Sequence, residues 1–116
     1  MFDIKDDRTS VTIDFLEEDL SEEVIICLRD IIKNLSSTRK IGMNLINVKS
    51  AKNGFFSLLK EFYGERDIAL YNMTADINLL LFLMNYNKYA NLFVNEIDFK
   101  DNSRCLIKRG FRVCAS

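Results

Sequence analysis

Residues 41–64 constrain this chain more than any other stretch. The apolar run Ile41-Gly-Met-Asn-Leu-Ile-Asn-Val48 enters the polar turn Lys49-Ser-Ala-Lys-Asn-Gly54. The turn opens into Phe55-Phe-Ser-Leu-Leu-Lys-Glu-Phe-Tyr-Gly64, whose apolar residues recur at helical spacing. A strand that feeds a helix through so short a turn places the helix N-terminus at the carboxyl end of a buried strand. In open α/β sheets, that is where ligands, phosphates and partner proteins are met.

The flanking segments repeat the alternation. Phe2-Asp-Ile-Lys5 and Val11-Thr-Ile-Asp-Phe15 alternate apolar and polar residues, and Asp6-Asp-Arg8 separates them, so the chain is expected to open with a hairpin or two short adjacent strands. Ser21 is positioned to cap a helix, with Glu22 and Glu23 at its positive end. Val24, Ile25, Leu28, Ile31, Ile32 and Leu35 form that helix's apolar stripe, which stops at Ser36-Ser-Thr38. Ile41 to Val48 reads as one strand with Met43, Leu45 and Val48 in the core. The next helix runs from about Asn53 to Tyr63 and ends at Gly64. Asp67–Tyr71 is a short strand, Thr74 caps a helix carrying Ile77, Leu80, Leu81 and Met84, and Ala90–Val94 is another strand. Residues 98–108 read as a weaker helix stopped by Gly110, and Phe111–Cys114 as a last edge strand. The result is an α/β chain with a mixed, mostly parallel β-sheet, an N-terminal hairpin and about four helices, in a single domain over residues 1–116.

Composition narrows the chemistry. With 16 basic and 17 acidic residues the net charge is −1, which does not suit a general polyanion binder. The short clusters Arg39-Lys40 and Lys108-Arg109 with Arg112 read as solvated element ends, not a nucleic-acid site. There is no histidine, which removes the usual general base, the commonest metal ligand and any Ser–His or Cys–His pair. Three cysteines, Cys27, Cys105 and Cys114, form neither a disulfide framework nor a zinc spacing. Cys27 is expected on the apolar face of its helix as a small core residue. The acidic runs Glu17-Glu-Asp19 and Glu22-Glu23 lack the spacing of a calcium loop and read as capping and surface charge. A receiver domain is set aside because the strand ending in Asn47-Val48 offers no phosphoacceptor aspartate. No glycine-rich phosphate loop, secretory signal or bilayer-length apolar run is seen, so no cofactor, metal or membrane insertion is expected, and a cytoplasmic location is the default expectation.

In order and pattern over nearly its whole length, the chain resembles a STAS domain, the module of sulfate transporters and bacterial anti-sigma factor antagonists. Phe2–Phe15 match the family's first strands. Met43-Asn-Leu-Ile-Asn-Val48 matches its strand of the type apolar-Asp-Leu-x-x-Val, with Asn44 where aspartate is common. Ser50–Leu59 matches its Asp-Ser-x-Gly turn and helix, Ile68–Leu80 its next strand, polar step and helix, and Asn87–Phe93 the segment that often ends that helix.

The turn departs from the family where the family is switched. With Gly54 as anchor, Ala51 takes the aspartate position and Lys52 the position of the phosphorylated serine. Ser50 is the only hydroxyl of the turn; it lies upstream of the family's position and is the candidate for any phosphorylation there. The resemblance implies a non-catalytic protein-interaction module without the usual Asp-Ser phosphorylation switch. Its expected contact residues are Ser50, Lys52, Asn53, Gly54 and Phe55, with Asn72–Thr74 at the next strand end. Its implied partner is an anti-sigma factor of serine-kinase fold, and a homodimer stays open. The alternative is a small STAS-like subunit of a membrane lipid-transport ABC complex. A plain structural reading also stands, in which Asn53 caps the helix, Gly54 allows close helix–strand packing and Lys52 is solvated.

Overall fold

The computed structural model describes residues 2–6, 10–35, 39–51, 53–77, 79, 90–101 and 105–107. The opening alternation forms the expected hairpin. β1 (Phe2–Asp6) pairs antiparallel with β2 (Ser10–Phe15), from Phe2 opposite Phe15 to Asp6 opposite Val11. A two-residue strand β3 (Asp19–Leu20) leads into α1 (Glu22–Asn34). β4 (Lys40–Asn44) is followed by the two-residue β5 (Ser50–Ala51), α2 (Asn53–Glu61) and β6 (Asp67–Tyr71). A helical segment begins at residue 75, after which come β7 (Asn91–Phe93), α3 (Glu96–Asp101) and β8 (Cys105–Ile107).

Six strands form one sheet in the order β1-β2-β4-β6-β7-β8. The four central strands are parallel, and the two outer pairings are antiparallel. β3 and β5 form a separate small parallel pair. Strand alternation divides the core between the two faces. Val11, Ile13, Phe15, Ile41, Met43, Ile68, Leu70 and Leu92 are buried in one cluster with the inward stripes of α1 and α2. Ala69, Tyr71 and Phe93 point the other way and pack with Phe99 of α3.

Several sequence expectations change. Ile41–Val48 is not one strand: β4 stops at Asn44, whose Oδ1 accepts the Ile46 N–H at 3.1 Å and turns the chain. Leu45 and Val48 are still buried, and the Val48 N–H donates to the Leu45 carbonyl. That is why the apolar run imitates a longer strand. The helix expected over 98–108 is two elements, α3 and the strand β8. Cys27 is exposed, one position off the α1 stripe, and is not a core residue. Ser21 stands at the N-cap of α1, but its side chain makes no capping bond. Thr74 does cap, accepting the Ile77 N–H at 3.4 Å. Gly64, past the end of α2, has φ +89°, a conformation that glycine adopts without a Cβ clash. Leu80, Leu81, Met84 and the expected strand at 111–114 lie outside the described residues.

Candidate functional site

The parallel strands all end on one edge of the sheet, and the sequence-marked turn stands there. β4 ends at Asn44, the chain turns at residues 46–47, and it then runs outward to pair β5 with β3. The Lys49 and Ser50 N–H groups both donate to the Glu18 carbonyl, at 2.7 and 3.2 Å. The Asn47 amide donates to the Phe15 carbonyl at 3.3 Å, tying this loop to the end of β2.

The five expected contact residues have different fates. Ser50 is exposed in β5, and its hydroxyl donates to Asp19 Oδ1 at 2.7 Å. Lys52 lies outside the described residues. Asn53 is exposed as the first residue of α2, and Gly54 follows, half-buried. Phe55 is fully buried, with its ring edge-on to Phe15 at 6.5 Å and to Phe56 at 5.6 Å. It therefore supports the turn from beneath instead of presenting a surface. Asn72, at the end of β6, has φ +57° and donates from Nδ2 to Asn44 Oδ1 at 3.1 Å. Gly54 does not face a strand: an added Cβ would meet only the Ile25 side chain, at 3.8 Å. The close helix–strand packing expected of this glycine is not what it serves.

Gly54 instead lines a cavity of about 220 Å³ with Leu20, Glu22, Ile25, Ile26 and Arg29. Leu20 and Ile25 are buried, whereas Ile26 is 57% exposed. Arg29 Nε donates to Glu61 Oε2 at 3.0 Å, bridging α1 and α2 along the cavity. The sequence reading of the turn missed the α1 side of this cleft. Its signal was Ile26, an apolar residue off the stripe that buries α1.

Across the strand ends runs a polar row. Asp14, Asn44 and Tyr71 are neighbours in register on β2, β4 and β6. Asp14 Oδ2 pairs with Lys5 at 3.7 Å, and its Oδ1 is buried without a hydrogen-bond partner. The Tyr71 hydroxyl donates to Glu96 Oε1 at 3.4 Å. Burial, then the charges of Glu96 and Asp14, and the hydrogen bond to Glu96 hold the Tyr71 phenol well above its ordinary range. Asn44 keeps a third carboxylate out of this row. Among the described residues no group of three histidine, cysteine, aspartate or glutamate side chains could hold a metal. No helix among them is long and apolar enough to cross a membrane.

The arrangement is that of a STAS-like fold: a hairpin-led, mostly parallel sheet with a strand–turn–helix at the carboxyl edge of its parallel strands. Among solved structures, the chain is similar to one described as the "Anti-Sigma Factor Antagonist SpoIIAA in its Unphosphorylated Form". The match has 15% sequence identity and a TM-score of 0.65, and covers 88% of this chain and 97% of that one. No family model matches the chain, and no curated protein does.

Proposed function

We propose that this chain is a non-catalytic, cytoplasmic protein-interaction module that works as an anti-sigma factor antagonist does, by binding an anti-sigma factor of serine-kinase fold. The likeness to SpoIIAA over nearly the full length of both chains supports the class. The turn that would be read by the partner is present, exposed at Ser50 and Asn53.

The observation that carries the finer reading is the bond from Ser50 to Asp19. A phosphoserine adds about −1.5 to −2 charges. Here they would stand against the Asp19 carboxylate, where the hydroxyl now donates. Ser50 is also three residues before α2, too far upstream to use the first N–H groups of that helix. The module therefore binds constitutively, with no phosphate at the turn.

Affinity purification of the tagged chain from its native cells, followed by quantitative mass spectrometry, tests this. A kinase-fold protein should co-purify in near-equal amount, Ser50 should be unmodified, and Ser50→Ala should recover the same partner. Recovery of an ABC transporter ATPase instead, or a phosphate on Ser50, would overturn the reading.

A further inference from the structure

We infer that the cleft between α1 and the start of α2 is a docking notch for one apolar side chain carried on a basic segment of a partner protein. This rests on the reading of the chain as a protein-interaction module. It adds where the anchor sits and what chemistry surrounds it.

The notch is apolar where an anchor would enter. Ile26, 57% exposed, presents the apolar surface, the buried Leu20 and Ile25 form the floor, and Gly54 leaves space at the α2 side. That glycine is not demanded by packing, because a Cβ would meet Ile25 at an ordinary 3.8 Å. Nor is it demanded by backbone, since its φ is not positive. Gly54 is the second residue of α2, where glycine costs less than the roughly 1 kcal/mol of a helix interior. What it leaves in return is open volume. At about 220 Å³ the cavity falls below the roughly 300–1,000 Å³ of small-molecule and cofactor sites. It is far larger than the ~30 Å³ share of one water. A single large aliphatic or aromatic side chain suits that size.

Charge selects the segment that bears the anchor. Glu22 lines the notch, and Glu17, Glu18, Asp19 and Glu23, all exposed, flank its lining residues Leu20 and Glu22 in sequence. Arg29, the cation lining the notch, is engaged by Glu61 at 3.0 Å, and Lys49 is engaged by Glu18 at 3.4 Å. The N-terminus of α1 contributes only about half a positive charge against Glu22 and Glu23. Residues 17–23 hold five carboxylates and no basic residue. An acidic peptide or an anionic lipid surface is repelled by this rim. A second copy of the chain would bring the same acidic face to a two-fold contact. A segment with lysine or arginine on both sides of a leucine, methionine or phenylalanine is complementary.

Selection of a random short-peptide display library against the full chain, followed by fluorescence anisotropy of the enriched peptides, reads this chemistry directly. The enriched sequences should carry an apolar anchor flanked by basic residues. Their affinity should fall roughly tenfold or more in Ile26→Glu, a surface change, and in Gly54→Leu, which fills the notch. Glu22→Lys combined with Glu23→Lys should weaken binding and flatten its salt dependence. Circular dichroism and urea midpoints should show the variants folded. Acidic or uncharged enriched sequences, peptides indifferent to both Ile26→Glu and Gly54→Leu, or no enrichment would each overturn the notch. A kinase-fold partner that still co-purifies with Ile26→Glu would reject the notch and leave the function standing. Absence of any such partner from the unaltered chain would reject the function itself.

Discussion

The Phe99 ring of α3 lies over Gly42 of β4 so closely that a Cβ at position 42 would stand 2.6 Å from Phe99 Cε2 and 2.7 Å from Cζ. The ring has little freedom to withdraw, being stacked on Tyr71 at 5.5 Å and edge-on to Phe93 at 5.9 Å. Gly42 is thus the seat of α3 on the second face of the sheet.

Gly42→Ala is therefore expected to destabilise the fold by about 1–3 kcal/mol through overpacking. Phe99→Ala should cost about 3–5 kcal/mol by leaving a void. The two losses should not add, because removing the ring removes the clash. Urea unfolding of both single variants and the double variant measures this coupling. Additive losses would mean that the two residues do not share the contact.

The β3–β5 pair makes a second prediction, about charge at the turn. Ser50→Ala removes one exposed hydrogen bond and should cost no more than about 0.5–1.5 kcal/mol. Ser50→Asp, a stand-in for phosphate, should cost several tenths of a kcal/mol more by facing Asp19. That excess should shrink at high salt and vanish in an Asp19→Asn background. Thermal unfolding of the four variants at two ionic strengths reads it. A Ser50→Asp variant as stable as Ser50→Ala would show that the turn tolerates a phosphate.

Local patterns in the sequence reach a definite depth here. The hairpin, the α1 and α2 stripes, β6 and the Thr74 cap all follow from spacing and capping within a few neighbouring residues. Other features depend on distant partners and leave no such pattern. The two residues of β5 carry no periodicity, and their pairing with β3 is set by chain placement. Gly42 looks like a weak point in a strand until Phe99, 57 positions later, is placed upon it. Phe55 reads as a contact because it follows the turn, yet helical geometry turns it into the core beside Phe15. At the candidate site the sequence located the turn, whereas the α1 wall of the cleft needed the packing of α1 on α2.

Asn44 supports a third prediction. Its Oδ1 accepts from both the Ile46 N–H and the Asn72 amide, which an aspartate oxygen could also do. An aspartate would, however, stand in register beside Asp14. Like charges in register on these neighbouring parallel strands repel, by up to about 1 kcal/mol at a partly exposed site. Asn44→Asp should therefore destabilise by about that amount in the native background and become neutral or stabilising with Asp14→Asn. Chemical denaturation of this double-mutant cycle decides it. An unchanged cost in the Asp14→Asn background would remove the carboxylate pair as the reason for asparagine at position 44.

Tyr71 sets how stability responds to alkali. Burial, then Glu96 and Asp14, hold its phenol protonated in the folded state beyond the point where it would ionise in the unfolded chain, near pH 10. Below that pH both states keep the proton, and this group adds no pH dependence. Above it the unfolded state binds fewer protons than the folded state, so the tyrosine lowers stability as pH rises. The loss should continue until the folded state also ionises. Tyr71→Phe gives up only a long 3.4 Å hydrogen bond to Glu96 and should be close in stability to the native chain at neutral pH. It should fall less steeply than the native chain between about pH 10 and pH 11. Urea midpoints across that range, with ultraviolet titration of the tyrosines in parallel, provide the test. Parallel stability curves for the native chain and Tyr71→Phe would show that Tyr71 ionises freely in the folded protein.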